Sequence, residues 1–211
     1  IGNEAGRVAT TQSKLVLIGY KAGHAINHND ADTTIAIGYE ALQGMTVGQY
    51  ATALGYKAGY SMAGADKATY IGYQAGYAGG SNHFNTYVGY QSGYGGGTGA
   101  GGEGNCALGV STLENTNGGH YNVAIGFETL NDIVTGAYNV AIGYQAADAM
   151  GVGESHNIAI GASALGTMDE GTNGTVDGNI AIGHYAFVGG NLNTASNTIM
   201  DNIAIGKSSL D

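Results

Sequence analysis

The chain has 211 residues, of which 40 are Gly and 15 are Tyr, and it contains no Pro or Trp. Lys and Arg number 6 against 16 Asp and Glu, a net charge of −10. Because proteins bind nucleic acids mainly through Lys and Arg contacts to phosphate, this balance excludes DNA and RNA as expected partners. No apolar run reaches the length of about 18 residues that a membrane span needs. The single Cys106 excludes an internal disulfide framework.

One short motif recurs along the whole chain, and each copy contains a glycine that directly follows Ile, Leu or Val. The spacing between copies is mostly 17 residues and lengthens to 22 and 23 near the C-terminus. The clearest copies read N-V-A-I-G-F-E-T at 122–129, N-V-A-I-G-Y-Q-A at 139–146 and N-I-A-I-G-A-S-A at 157–164. The twelve repeat glycines are Gly2, Gly19, Gly38, Gly55, Gly72, Gly89, Gly109, Gly126, Gly143, Gly161, Gly183 and Gly206.

Each copy predicts a short β-strand followed by a turn. A β-branched residue, such as Val140, stands three positions before the glycine. β-Branched residues at alternate positions suit a pleated strand. Cys106 replaces the β-branched residue in one copy and is predicted to be a small buried apolar side chain. The glycine predicts a positive-φ turn or a close backbone approach. Three residues later the side chain is always Ala, Ser or Thr.

Tandem copies of one strand and one turn predict an all-β fold, a parallel β-solenoid of about twelve coils that occupies residues 1–211 as a single repeat domain. Asn opens the strand in seven copies, and stacked Asn side chains can form a hydrogen-bonded ladder along the axis. The run V-A-I is apolar on both strand faces, whereas a strand with one wet face alternates apolar and polar residues. We therefore expect one face to pack inside the coil and the other against neighbouring chains.

The structural core is predicted to consist of the residue before the repeat glycine, the glycine itself and the Ala between the two larger strand residues. The Ile and Gly members are Ile37, Ile71, Ile125, Ile142, Ile160, Ile182, Ile205, Gly126 and Gly143.

The motif N-[VI]-A-I-G-x-x-[AST] resembles the repeats in trimeric adhesin heads of the YadA type, and the G-Y-Q-A variants at 72–75 and 143–146 resemble repeats of phage tail-fibre proteins. The resemblance covers all 211 residues, although the coils are longer than those of the adhesin heads. It implies a left-handed β-roll that forms a homotrimer. It also implies a structural section of an extracellular fibre, on a virion or a cell surface, which presents elements that bind a host or substrate surface. Neither an enzyme activity nor a cofactor is expected.

An aromatic residue directly follows the repeat glycine in seven copies, and two interpretations are open. The rings could form a ladder that packs coil on coil, or they could offer faces that stack on surface glycans. A second set, Tyr60, Tyr77 and Tyr94, follows A-G or S-G and is predicted to lie on another edge. The seven residues are Tyr20, Tyr39, Tyr56, Tyr73, Tyr90, Phe127 and Tyr144.

Three further readings are weaker. The segment 24–32 contains two His and two Asp that could gather a metal ion, but spacing alone is a weak signal and a solvated inter-coil loop is the favoured interpretation. A monomeric ligand-binding or ice-binding solenoid would favour rows of Thr-x-Thr, but Thr opens the strand only at Thr52, Thr69 and Thr86. A glycan-degrading spike would need two acidic side chains placed together on one face by different coils.

Overall fold

The computed structural model describes residues 1–9, 13–27, 32–78, 80, 82–95, 102–166, 175–189 and 198–210. Within these ranges every regular element is a β-strand, so the described residues contain no helix that could cross a membrane. The strands are β1 (Val16–Ile18), β2 (Ile35–Ile37), β3 (Thr52–Leu54), β4 (Thr69–Ile71), β5 (Thr86–Val88), β6 (Cys106–Val110), β7 (Val123–Phe127), β8 (Val140–Tyr144), β9 (Ile158–Ile160), β10 (Thr175–Asp177), β11 (Ile180–Ile182), β12 (Thr198–Met200) and β13 (Ile203–Ile205).

Eleven of these strands form one parallel sheet in which each coil contributes one strand next to that of the preceding coil. The register aligns equivalent repeat positions, as in Val123 with Val140 and Ile125 with Ile142. The predicted all-β parallel solenoid of stacked strands is therefore confirmed. The prediction that residues 1–211 form a single domain stays a prediction.

The number of coils differs from the twelve predicted. The first motif copy, at Ile1 and Gly2, forms no strand, although backbone hydrogen bonds join it to the next coil, such as the Gly19 N–H donating to the Ile1 carbonyl at 2.8 Å. The two longest coils add a feature that the motif did not predict, a small second sheet in which β10 pairs with β12 in parallel.

The interior of the coil is filled by the second residue of each strand and by the small residue three positions after the glycine. Ala36, Ala124, Ala141 and Ala146, among others, have no exposed surface. Because successive strand residues point to opposite faces, the first and third strand residues point outward. The isoleucines of the predicted core therefore lie outside the coil interior, and their burial against neighbouring chains stays a prediction. In the single chain each of these isoleucines is partly or largely exposed: Ile37, Ile71, Ile125, Ile142, Ile160, Ile182 and Ile205.

The interior also shows a volume exchange across the coil. Where the fourth residue after the glycine is a buried Leu, such as Leu130, the strand centre is Ala124. Where that position is Gly76, the strand centre is the fully buried Tyr70. A Cβ added at Gly76 would lie 2.6 Å from the Tyr70 ring, so the two positions share one space. In these coils a large residue at one position goes with a small residue at the other, because close-packed interiors tolerate neither voids nor overlap.

The geometry of the repeat glycines requires the absence of a side chain. Gly126 and Gly143 have φ values of 144° and 140°, in the region that L side chains rarely adopt. A Cβ on Gly143 would lie 2.6 Å from the carbonyl oxygen of Gly161 in the next coil. Any substitution there would push adjacent coils apart.

Candidate interaction surface

The most prominent surface feature is the outward side of the main sheet, which we name the outer apolar face. It consists of the first and third residues of the eleven strands. Representative exposed fractions are 42 % for Val16, 45 % for Leu54 and 48 % for Leu108. Eleven strands about 4.8 Å apart extend over about 50 Å. Since exposed apolar patches on monomers are usually about 300–600 Å², a face of this length is unusual for a chain that works alone.

The first aromatic row borders this face on the side of the repeat glycine and consists of Tyr20, Tyr39, Tyr56, Tyr73 and Tyr90. Neighbouring ring centroids are 5.1–5.2 Å apart, with interplanar angles of 6–24°. Phe127 and Tyr144 form a separate pair in the same column at 5.5 Å. The ladder interpretation therefore describes how these rings pack.

Each inner ring of the first aromatic row has a parallel ring on both sides. Between 38 % and 48 % of each residue is exposed, so water still reaches part of every side chain. Because the neighbouring rings occupy the space above and below, sugar rings cannot stack freely on the faces of the inner tyrosines. Contact between this row and a glycan stays a prediction, and it would use ring edges and hydroxyl groups.

The second aromatic row consists of Tyr60, Tyr77 and Tyr94, whose ring centroids are 5.0 and 4.9 Å apart. Lys57 lies between the two rows: its ammonium is 5.5 Å from the Tyr56 ring centroid and 4.8 Å from that of Tyr60. The Lys57 ammonium also lies 3.5 Å from the Glu40 carboxylate. The prediction that this set lies apart from the first row is consistent with these separate stacks.

A third aromatic column was missed by the sequence reasoning. It lies two residues before the strands and contains Tyr50, Phe84, Tyr121 and Tyr138, each 50–54 % exposed. The Tyr121 and Tyr138 rings stack at 5.2 Å, and His156 continues the stack at 5.2 Å. Alignment of the position before the strand-opening Asn would have shown this column. It extends the apolar surface on the other side of the strands in these coils, whereas Lys67 occupies the same position between Tyr50 and Phe84.

The predicted asparagine ladder is present inside the coil edge. From Asn105 onward, each Asn backbone N–H donates to the Oδ1 of the Asn one coil earlier, at 2.7–3.1 Å. The side-chain Nδ2 groups donate to backbone carbonyls; that of Asn139 donates to Glu154 at 2.8 Å. The ladder fixes the start of each strand relative to the previous coil. Its members are Asn85, Asn105, Asn122, Asn139, Asn157, Asn179 and Asn202.

A second polar ladder, which the sequence reasoning missed, runs two residues before the Asn positions and has the opposite direction. Here the backbone N–H of one coil donates to a side chain of the next coil. The Gln49 N–H donates to Asp66 Oδ1 at 2.8 Å, and the Asp66 N–H donates to His83 Nδ1 at 3.3 Å. The Glu103 N–H donates to His120 Nδ1 at 3.1 Å. These His side chains therefore have a structural role as acceptors.

A cavity of about 340 Å³ is lined by acidic and amide side chains, including Glu114, Glu128, Asp132 and Asp148. Burial, followed by the nearby charges of Asp132 and Glu128, raises the pKa of the Asp148 carboxyl to about 6. The other three carboxylates accept hydrogen bonds from side-chain amides. Asp132 accepts from Asn115 at 2.6 Å, and Glu128 accepts from Gln145 at 2.8 Å. Asn131 donates to Glu114 at 3.3 Å. No group of three or more His, Cys, Asp or Glu among the described residues is arranged to hold a metal ion.

The other sequence candidates are separated. Of the His and Asp in 24–32, His28 and Asp30 lie outside the described residues. Asp32 accepts from the Ser13 N–H at 2.6 Å, while His24 Nε2 lies 3.5 Å from the Glu4 carboxylate. Cys106 is exposed, which corrects the prediction that it is buried: the first strand position points outward.

No protein-family model matches the chain, and no curated protein and no solved structure shows significant similarity to it. The β-roll resemblance therefore depends on the repeat motif and on the stacked parallel strands that it forms.

Proposed function

We propose that this chain is a structural section of an extracellular homotrimeric fibre, such as a phage tail fibre or a cell-surface adhesin filament. In this role a rigid rod of β-roll coils presents elements that bind a host or substrate surface. The proposal includes the left-handed winding that the motif resemblance implies. No catalytic step and no cofactor is part of it.

The observation that carries the proposal is the outer apolar face. Its strand residues alone extend over about 50 Å along the stack. A chain that works alone rarely leaves an apolar strip of this length open to water, which favours lateral association with other chains. The strand residues of the face are uncharged along its whole length. Identical neighbours offer a matching surface, because each strand of the main sheet presents the same two outward positions.

The internal ladders support the mechanical part of the proposal. Backbone hydrogen bonds join every coil to the next, and the asparagine ladder and the second polar ladder add side-chain bonds parallel to them. Length differences between coils fall outside the segment that runs from the strand to the fifth residue after the glycine. The strand side is therefore constant in length, whereas the other side accepts extra residues. This division suits a rod that associates through one side and varies on the other.

The native Cys106 gives a direct test, because it lies on the outer apolar face. A short bis-maleimide added to the native protein at micromolar concentration should join pairs of chains. In a trimer each cysteine can be joined only once, so the joined fraction should approach two-thirds of the chains and stop there. A dimer would approach complete joining.

The matched control is the double variant Cys106→Ser with Asn117→Cys, which moves the thiol to an exposed position in the coil half that follows the glycine turn. This variant should remain unjoined under the same conditions. The proposal would be contradicted if Cys106 gave no joined chains, or if both thiols were joined to the same extent.

The structure does not favour the alternative functions. Thr52, Thr69 and Thr86 are aligned on the outer face, but the third residue of each of these strands is Leu54, Ile71 or Val88, so no Thr-x-Thr row exists there. For the glycan-degrading alternative, three of the four acidic side chains that line the described cavity, Glu114, Glu128 and Asp132, accept hydrogen bonds from amide groups, as in a structural polar cluster.

A further inference from the structure

We propose that the first and second aromatic rows are sites of oxidative tyrosine cross-linking, in which a one-electron oxidant of the haem peroxidase class couples tyrosines of adjacent coils. The inference depends on the ring geometry of the fold and is independent of the proposed fibre function. Its product would be a covalent bond between coils that are otherwise joined only by hydrogen bonds and packing.

The geometry prepares neighbouring phenols for coupling. In the first aromatic row the ring centroids of Tyr20 and Tyr39 are 5.2 Å apart, and in the second row those of Tyr60 and Tyr77 are 5.0 Å apart. Parallel rings at this separation are in contact, as in offset-stacked aromatic pairs. Each ring is held in place by the coil beneath it, so the two reacting groups need no diffusive encounter.

The reaction balances with hydrogen peroxide as the final oxidant. The activated peroxidase removes one electron from each of two phenols, and each phenol releases its proton to water. The two phenoxyl radicals then form one C–C bond between the ring carbons ortho to the hydroxyl groups. Each coupled carbon loses its hydrogen as the ring becomes aromatic again and the oxygen regains a proton. In sum, two tyrosines and one hydrogen peroxide give one dityrosine and two molecules of water.

Exposure supplies the second requirement, a route for the phenolic proton to solvent. Tyr20 and Tyr39 are 38 % and 43 % exposed. Two other tyrosines meet only one of the two requirements, ring stacking or exposure to solvent. Tyr50 is 54 % exposed, but no aromatic ring stacks on it among the described residues. Tyr70 stacks on Tyr87 at 5.7 Å but is fully buried. Burial raises the pKa of both phenols in this inner pair, which opposes loss of the proton.

Trypsin makes the links readable. Cleavage after Lys14, Lys21, Lys57 and Lys67 places Tyr20 alone in peptide 15–21 and Tyr60 alone in peptide 58–67. After treatment with peroxidase and hydrogen peroxide, we expect peptide 15–21 joined to 22–57 through Tyr39, and 58–67 joined to 68–207 through Tyr77. Each product should weigh two hydrogen atoms less than the sum of its peptides.

Isotope mixing separates links within a molecule from links between molecules. Heavy and light proteins are folded separately, combined and then oxidised. Neighbouring groups on one molecule have an effective concentration of about millimolar or more, so at about 1 µM protein unmixed links should exceed mixed links roughly a thousandfold. The variant Tyr39→Phe keeps a ring in the row but has no phenol, and it should abolish the Tyr20 link while leaving the Tyr60 link. Tyr50→Phe is the matched control and should change neither.

The proposal is overturned if tyrosine is consumed without the two expected links. It is equally overturned if Tyr50 or Tyr70 is linked as often as Tyr20, or if mixed-isotope links are as frequent as unmixed ones.

Discussion

The asparagine ladder predicts a large and local effect of the substitution Asn139→Ala. Asn139 Oδ1 accepts from the backbone N–H and the Nδ2 of Asn157, at 2.9 and 3.1 Å. Its Nδ2 donates to Asn122 Oδ1 at 3.1 Å and to the Glu154 carbonyl at 2.8 Å. Alanine removes all four bonds and leaves the buried Asn157 N–H without this acceptor. At a net value of about 1 kcal/mol for each bond, the free energy of unfolding should fall by about 4 kcal/mol.

Urea unfolding followed by circular dichroism measures this change, and hydrogen exchange at the Asn157 amide reports it locally. The control is Asn202→Ala in the last strand-bearing repeat, where the side chain donates only two bonds, to Asn179 and Met200, and is less buried. The free energy of unfolding of Asn202→Ala should fall by only about 1 kcal/mol, because water can replace the missing hydrogen-bond partners. Equal effects of the two variants, or a loss below about 1 kcal/mol for Asn139→Ala, would refute the structural importance of the ladder.

Three further predictions concern the two sides of the coil and one acidic group. Ala141→Asp places an unpaired charge in the sealed interior and should abolish the β-sheet circular dichroism signal, whereas Ile142→Asp changes the outer face and should lower the native mass with the signal retained. Tyr70→Phe removes a buried hydroxyl that has no hydrogen-bond partner, and thermal unfolding should show a gain of about 1 kcal/mol. Because the pKa of Asp148 is raised in the folded chain, stability should decrease as pH rises from about 4 through 6. After solvent screening this loss is roughly 1–2 kcal/mol, and Asp148→Asn should abolish it in urea titrations at several pH values.

Much of the fold follows from the sequence because one constraint repeats in every coil. The glycine after Ile, Leu or Val must approach the next coil closely, which fixes the stacking register wherever the motif occurs. Asn at the strand start identifies its own hydrogen-bond partner, because another Asn occupies the same position one coil later. These features are local, and a single motif is enough to predict them.

The assignment of strand faces could not be predicted in the same way. In V-A-I both outer residues are larger than the middle one, so hydrophobicity alone favours Ile142 over Ala141 as the residue that fills the interior. The narrow interior reverses this assignment, because it accepts only Ala at the strand centre when Leu130 or a similar residue enters from the turn. That exchange of volume depends on contacts across the coil. It becomes visible from sequence only when Tyr70 and Gly76 are recognised as a compensating pair.

The third aromatic column was missed for a different reason. Tyr121 and Tyr138 precede the Asn that marks the strand start, so they appear to belong to a variable loop. Both have positive φ values, 56° and 61°, at a position where every coil makes the same turn. Left-handed backbone at non-glycine residues leaves no clear signature in residue type, and the alignment of the rings is therefore apparent only in the folded stack.

The central claim is that the outer apolar face is covered by identical chains. The most direct measurement is the native mass of the chain in solution by light scattering coupled to size-exclusion chromatography, over a hundredfold range of protein concentration. We predict a mass of three chains at every concentration. A stable species of one chain, 21.2 kDa, that keeps the β-sheet signal would contradict the claim.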